Sequence, residues 1–324
     1  MTFEVSSEIR ADRFVADALK IGRNEARRLI KEDCVVGAGK PSQILKAGAI
    51  VAVNPPLAPV RSENGSVDFD ISVLYEDDDL LVINKPAGIA VHSAPSYKGA
   101  VLTDWLKAKG YALSNIAGDE RLGIVHRLDK ETTGALAIAK TNEAHVALAR
   151  QLESRTMGRY YLAIVDRTIK YDRVVDRPIA RNPRDRKRMA VVEGGRAAKS
   201  AFVQLAELRN GEALVAAKLF SGRTHQIRVH LGSIGVHIVG DALYGYKGVK
   251  DKIGQFFLHA YRLYLTRPSS KETLTAAAPL PEPFLARLNL DLEYIDELLE
   301  ENSFLSRFRA DAWLRSAADD PVRA

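Results

Sequence analysis

Residues 123–134 read GIVHRLDKETTG, and they raise the question of why an apolar run should end in a histidine, an arginine and an aspartate. A fold by itself asks only for hydrophobic residues and then a turn. Here Asp129 stands between two cations, Arg127 and Lys130. The pattern predicts that Ile124 and Val125 close a buried strand, that a loop follows, and that ALAIAKT resumes strand character. Loops at strand ends concentrate positioned functional groups. Asp129 is therefore either a turn aspartate paired with a neighbouring base or a carboxylate placed for chemistry.

A second stretch bears on that choice. SGRTHQIRVHLGSIGVHIVGDALYG, beginning at Ser221, carries two arginines, three histidines and Gln226. In QIRVHL, Gln226, Arg228 and His230 alternate with Ile227, Val229 and Leu231, which predicts a strand with one polar face. That face is either solvated or lines a charged site. Asp129 would suit a buried Arg228 as counter-ion, because a buried unpaired arginine is very costly. His225, His230 and His237 lack the spacing of a helical zinc motif, so no metal is expected. Ser221 has no GxSxG elbow around it, and Glu131 or Asp241 could be second acids of a glycosidase only without support. RYYLAIV opens a strand with Tyr160 and Tyr161 on opposite faces. One packs in the core; the other either packs too or offers its ring to a ligand, where stacking on a base is worth roughly 1–3 kcal/mol.

Around these motifs the larger part of the chain is strand-rich: ISVLYE, DLLVINKP, GALAIAKT, YYLAIVDR, SAFVQLAEL and EALVAAKLF. Helical patterns are fewer, clearest in VLTDWLKAKG and TNEAHVALARQLESR, where Ala144, Ala147, Leu148 and Leu152 form a stripe. Strands that follow one another without regular helical alternation predict an α+β class with a mixed, mainly antiparallel sheet and flanking helices. No GxGxxG or GxxxxGK[ST] occurs at a strand-to-helix turn, so no nucleotide cofactor is indicated. Residues 8–53 form a small unit with two helical patterns, Arg13–Lys20 and Asn24–Lys31, the second N-capped by Asn24. Ala26, Leu29 and Ile30 turn inward, while at least two of Arg27, Arg28 and Lys31 share an exposed face. NPPLAPVRSENGS reads as a linker. The expected division is 1–58, a linker at 59–68, a large domain at 69–298 and a helical extension at 299–324, with Phe304, Phe308 and Trp313 on one helical face.

The whole chain sets the bounds. It has 324 residues, 46% of them hydrophobic, enough for a sizeable core. Its one cysteine, Cys34, excludes internal disulfides and fits a reducing compartment, so a cytoplasmic setting is expected. The stretch MTFEVSSEIRADRF lacks the basic-then-apolar layout of a signal peptide, and no apolar run nears the roughly 20 residues of a membrane span, so no membrane role is expected. Lys and Arg number 47 against 41 Asp and Glu, a net +6 that favours an anionic partner. The excess is local: Arg181–Lys199 holds seven basic residues and two acids. That segment is either a solvated loop or a phosphate-contacting element.

Taken together, NKPAGIAVH, GIVHRLDKETTGALAIAKT, RYYLAIV, RKRMAV, SGRTHQIRVHLGSIGVHIVGDALYG and LHAYRL resemble the RluA/RluD-type pseudouridine synthases, in that family's order. HRLD with a following TG, together with GRTHQIRVH, is the most specific part. Residues 8–53 are similar to the alpha-L RNA-binding domain that many members carry. The resemblance implies that Asp129 is the essential carboxylate, Tyr161 the active-site tyrosine and Arg228 the arginine paired with Asp129. It implies RNA or substrate contacts at His126, Arg127, Leu128, Arg223, Thr224, His225, Gln226 and Ile227, and in the small domain at Arg23, Arg27, Arg28, Lys31 and Lys40. It further implies a monomer acting without cofactor or metal on ribosomal RNA of the large subunit, as in the D-type branch, or on an assembling subunit. Transfer RNA as substrate, a silent RNA-binding assembly factor, and a hydrolase releasing uracil are the alternatives. Three positions depart from the family: Arg159 replaces a usual Lys, Ile238 a common Pro, and VVGAGK lacks the Asn of the small domain's V-N-G turn.

Overall fold

The computed structural model describes residues 2–19, 23–31, 35–53, 67, 69–93, 97, 99–118, 121–245 and 255–308. The side chain of Arg28, together with Cys34, Trp313 and the linker stretch 54–66, lies outside the described residues. The chain divides into two compact units, Met1–Asp68 with Asn115–Leu122, and Phe69–Ser114 with Gly123–Ala324.

The smaller unit contains β1 (Thr2–Glu4), β2 (Ile9–Arg10), α1 (Ala11–Leu19), α2 (Arg23–Lys31), β3 (Val35–Val36), β4 (Ile44–Leu45) and β5 (Ile50–Val53). β5 lies between β1 and β3, and β2 pairs with β4, all antiparallel. The apolar positions of the two helices meet the strands in one core of Val15, Ala26, Leu29, Ile30, Val35 and Val51. α2 begins at Arg23, so Asn24 is inside the helix and not its cap.

The larger unit is built on a nine-stranded sheet. Its elements are β6 (Ser72–Glu76), β7 (Leu80–Lys85), α3 (Leu102–Ala108), β8 (Thr133–Ala139), α4 (Asn142–Glu153), β9 (Gly158–Val165), β10 (Arg173–Asp176), β11 (Ile179–Arg181), β12 (Met189–Val191), β13 (Lys199–Glu207), β14 (Ala213–Leu219), α5 (Gln226–Ser233), β15 (Leu258–Thr266), β16 (Thr273–Ala277), α6 (Glu282–Leu288), α7 (Leu292–Leu299) and α8 (Glu301–Ser306). The order is β10-β13-β14-β9-β15-β8-β7-β6, with β16 also on β15. Among the described strands only the β8–β15 pairing is parallel, so the expected mixed and mainly antiparallel sheet is what forms. β9 is buried along its whole length, and the apolar side chains of YYLAIV supply both faces. Tyr160, Leu162 and Ile164 face one core, shared with Phe284, Ile295, Leu298, Phe304 and Phe308 of the C-terminal helices and turn. The tail from Asp291 is thus part of the sheet's own core as far as Phe308. On the other flank, Ala144 and Leu148 of α4 cover Leu80, Val82, Ala135 and Ala137, and Thr141 caps α4 by accepting from the Ala144 amide at 3.1 Å.

Three local expectations are corrected. Ile124 makes only an isolated bridge to Ile138, so 123–132 is an irregular loop fastened to β8 and not the end of a strand. QIRVHL is the start of helix α5, not a strand. The basic segment 181–199 is no simple loop, because β11 and β12 pair antiparallel across it.

Candidate active site

The HRLD loop is held from three sides. His126 accepts a hydrogen bond at Nε2 from the Ala137 amide of β8 at 3.0 Å. Lys85, at the end of β7, is fully buried and donates from Nζ to three carbonyl oxygens: Pro86 at 2.7 Å, Ile89 at 2.9 Å and Lys130 at 3.0 Å. The Gly88 amide donates to the same Lys130 oxygen, and the Thr132 amide to Asp129 O, both closing the turn around the carboxylate. Burial draws the Lys85 ammonium down to about 7 and the His126 imidazole to about 3, the latter helped by the nearby Arg159. A neutral His126 is what an Nε2 acceptor requires. At the far end of the loop Gly134 has φ +109°, and a Cβ there would run into the backbone of Ala260 in β15.

Helix α5 brings the second half. His225 precedes it in the left-handed region at φ 56°. Gln226 and His230 lie one turn apart and both reach the buried Ser200 hydroxyl, at 2.9 and 3.0 Å. Gln226 also accepts from the Ser221 hydroxyl and the Arg223 amide and donates to Lys199 O, so its amide clamps the SGRTH turn to β13. With those residues inward, Arg228 projects elsewhere. Its Nε and Nη2 grip Asp241 at 2.7 Å each, and its Nη1 donates to Asp129 Oδ2 at 3.2 Å. Asp241 is itself buried and accepts from the Leu243 and Tyr244 amides. The guanidinium lies 4.8 Å from the Tyr244 ring centre and 5.0 Å from that of Phe256. Burial works against its charge, but Asp241 and then Asp129 outweigh it, so its affinity for a proton rises. The Tyr244 hydroxyl bonds His225 Nδ1 at 2.7 Å and accepts from the Met189 amide at 2.8 Å, tying the basic hairpin to the site.

β9 supplies the third part. Tyr160 faces the core and makes edge contacts with Phe304 and Phe308, while Tyr161 points to the opposite face. Burial pushes the Tyr161 hydroxyl up to about 12, with Asp129 adding to the rise and Arg159 opposing it. Among the described residues no group of three or more His, Cys, Asp or Glu is placed to hold a metal ion.

The arrangement is a half-accessible carboxylate aimed by a doubly anchored guanidinium, beside a neutral phenol and next to a strongly basic hairpin. Residues 79–233 match the sequence pattern of the RNA pseudouridylate synthase family. The chain is 42% identical to an uncharacterised RNA pseudouridine synthase of Helicobacter pylori over 93% of its length and 96% of that protein's. The chain belongs to the RNA pseudouridine synthase family. That family is one of isomerases acting on RNA. A second relative of this pseudouridine synthase, named ribosomal large subunit pseudouridine synthase D, from Pseudomonas aeruginosa, is 38% identical over 78% of this chain and 81% of its own. The solved human RNA pseudouridylate synthase domain containing 1 superposes with a TM-score of 0.57 at 25% identity, covering 74% of this chain and 98% of that one.

Within this pseudouridine synthase fold, Asp129, Arg228 and His225 come together, His225 Nε2 standing 3.8 Å from Asp129 Oδ2. Arg127 and Thr224 are exposed, and Arg127 lies 3.3 Å from His92. Arg223 is half-buried and donates to Ala197 O. Leu128, Gln226 and Ile227, expected to touch RNA or substrate, are buried: Leu128 within the loop itself, Gln226 and Ile227 in the first turn of α5. His126 likewise serves as a loop anchor. In the small unit, Arg23 and Arg27 bond the fully buried Asp12 together with Arg10, while Lys31 and Lys40 are exposed. Asp241, Lys85 and Tyr244 were not anticipated as parts of the site. A lysine closing the buried run LLVINK was the one signal in the sequence that could have pointed to Lys85.

Proposed function

We propose that this chain converts specific uridines of large-subunit ribosomal RNA to pseudouridine, with Asp129 as the carboxylate that acts on the target ribose. The observation that supports it most is the Arg228 guanidinium, fixed on Asp241 by two bonds and reaching Asp129 with its remaining nitrogen. Such a clamp aims one carboxylate oxygen and leaves the other free for a sugar. Turning an N-glycoside into a C-glycoside detaches the base, rotates it and reattaches it through carbon 5. The carboxylate serves the electron-poor sugar, either by covalent capture at C1′ or by taking a proton from the ribose. Tyr161, held as a neutral phenol, offers a ring for the freed uracil. A base in structured RNA must first be flipped out, and the exposed Arg127 suits that role. No metal or organic cofactor is called for by this chemistry.

The small unit, read as an alpha-L domain, would add RNA affinity through Arg23, Arg27, Arg28, Lys31 and Lys40. The name of the Pseudomonas relative supports the large-subunit target. We take the working protein to be a cytoplasmic monomer acting on free ribosomal RNA or on an assembling subunit. The test is pseudouridine mapping by carbodiimide modification and primer extension on ribosomal RNA from cells with and without the gene. Discrete sites are expected to vanish and to return with wild type but not with Asp129→Asn, which should still bind RNA. Restoration by Asp129→Asn would remove Asp129 from the mechanism.

A further inference from the structure

Buried cations in the larger unit have partners, with one exception among the described residues. Lys85 has its three carbonyl oxygens, and Arg262 has Glu301 at 2.9 Å. Arg159 is 8% exposed and makes no hydrogen bond or ion pair, its Nε being buried without an acceptor. Burial, with Arg223 adding, weakens its hold on its proton, yet an arginine stays charged in proteins. An isolated buried charge costs several kcal/mol. Its place explains why such a cost is tolerated. Arg159 is two residues before Tyr161 on β9, so both side chains share the face turned away from the Tyr160 core. Its surroundings are neutral or positive: it acts electrostatically on Tyr161, His126 and Arg223. A Cβ on Gly222 would stand 2.6 Å from its Nη1, so the glycine of SGRTH makes room for the guanidinium.

Resting on the reading of Asp129 and Tyr161 above, we propose that Arg159 is the receptor for the departing base, binding the carbonyl oxygens of uracil as it becomes an anion. When the C1′–N1 bond breaks, its electron pair stays with uracil, spread over N1, O2 and O4, whichever way the sugar is handled. That pair is used again when C5 bonds to C1′, and the proton on C5 is finally lost while N1 gains one, so no atoms are gained or lost overall. A preorganised guanidinium in a dry site stabilises such an anion far more than it does a neutral base. A backbone phosphate fits the position less well. Arg159 is as buried as Tyr161, whereas Arg127 and Lys130 are exposed and so open to a phosphodiester.

The test compares wild type, Arg159→Met and Arg159→Lys in single-turnover reactions at saturating RNA, with RNA affinity and thermal stability measured alongside. Arg159→Met should lose about 100-fold or more in rate. It should keep its RNA affinity and melt no lower than wild type, since it removes an unpaired buried charge. Arg159→Lys should retain most of the rate. A wild-type rate in Arg159→Met overturns the proposal, and so does a loss confined to affinity, which would mark a phosphate contact. The second readout is RNA carrying 5-fluorouridine, whose fluorine itself stabilises the uracil anion, scored as rearranged nucleoside after digestion. Arg159→Met should lose less on this substrate than on uridine RNA; equal losses overturn the assignment. Should Arg159→Met not fold, Arg159→Gln, which also removes the charge, supplies that comparison. A fully active Asp129→Asn sinks the reading of the site independently of Arg159.

Discussion

At the scale of single residues the site is a three-body arrangement, Asp241–Arg228–Asp129, and its asymmetry matters. The two bonds at 2.7 Å go to Asp241, while Asp129 receives one at 3.2 Å. Asp241 therefore fixes the guanidinium, and the guanidinium orients Asp129. Asp241→Asn would leave Arg228 free to swing onto Asp129 and grip both of its oxygens. We expect a fall in kcat of about 100-fold from misplacement alone, with RNA affinity unchanged. Steady-state kinetics on a structured RNA fragment would show it, and an unaffected kcat would mean that Asp129 needs no such anchor. The pairing of Arg228 with Asp129 was legible in the sequence because a polar arginine in an apolar setting demands a counter-ion. Asp241 was not, since the thirteen-residue separation from Arg228 obeys no local spacing rule.

At the scale of elements, QIRVHL shows where pattern reading fails. Alternation over six residues also places Gln226 and His230 one helical turn apart, and the helix wins because both then reach Ser200. β6, β7, β8, β9, β13 and β14 were legible as apolar runs, whereas β10, β15 and β16 of the same sheet were not read as strands. Ile124 and Val125 were misread as a strand end, because they belong to a loop whose order comes from bonds remote in sequence, from Lys85 and Ala137. Gly134 belongs to the same class of feature. It stands at φ +109° against Ala260, where β8 meets β15 in parallel. Gly134→Ala should cost about 1–3 kcal/mol from backbone strain alone, with the collision adding to it. Urea unfolding followed by tryptophan fluorescence would report the shift in midpoint; an unchanged midpoint would mean the strand pair slides to make room.

At the scale of the molecule, the buried histidines predict how the fold responds to acid. His230 and His259 are fully buried with imidazoles near 4, and His126 lies near 3, all lowered from 6.5 chiefly by burial. Each is neutral in the folded chain and charged in the unfolded one between those values. Their contribution is intact above pH 6.5 and is lost as pH falls towards 4, at up to about 1.4 kcal/mol per pH unit for each histidine. Melting temperatures measured across pH 7 to 4 should fall steadily, and His259→Asn should flatten the slope; a flat wild-type profile would show that the imidazoles stay accessible to protons. The sheet order has another outcome, which concerns synthesis. β15 is the strand on which both β8 and β9 dock, yet it is among the last to be made. A nascent chain that has emerged only as far as Phe257 already carries the HRLD loop, both tyrosines and Arg228, but not the strand that seats Gly134. The ribosome therefore releases the chemistry of this protein late and all at once, and a prematurely terminated chain would hold every proposed catalytic side chain without the framework that brings them together.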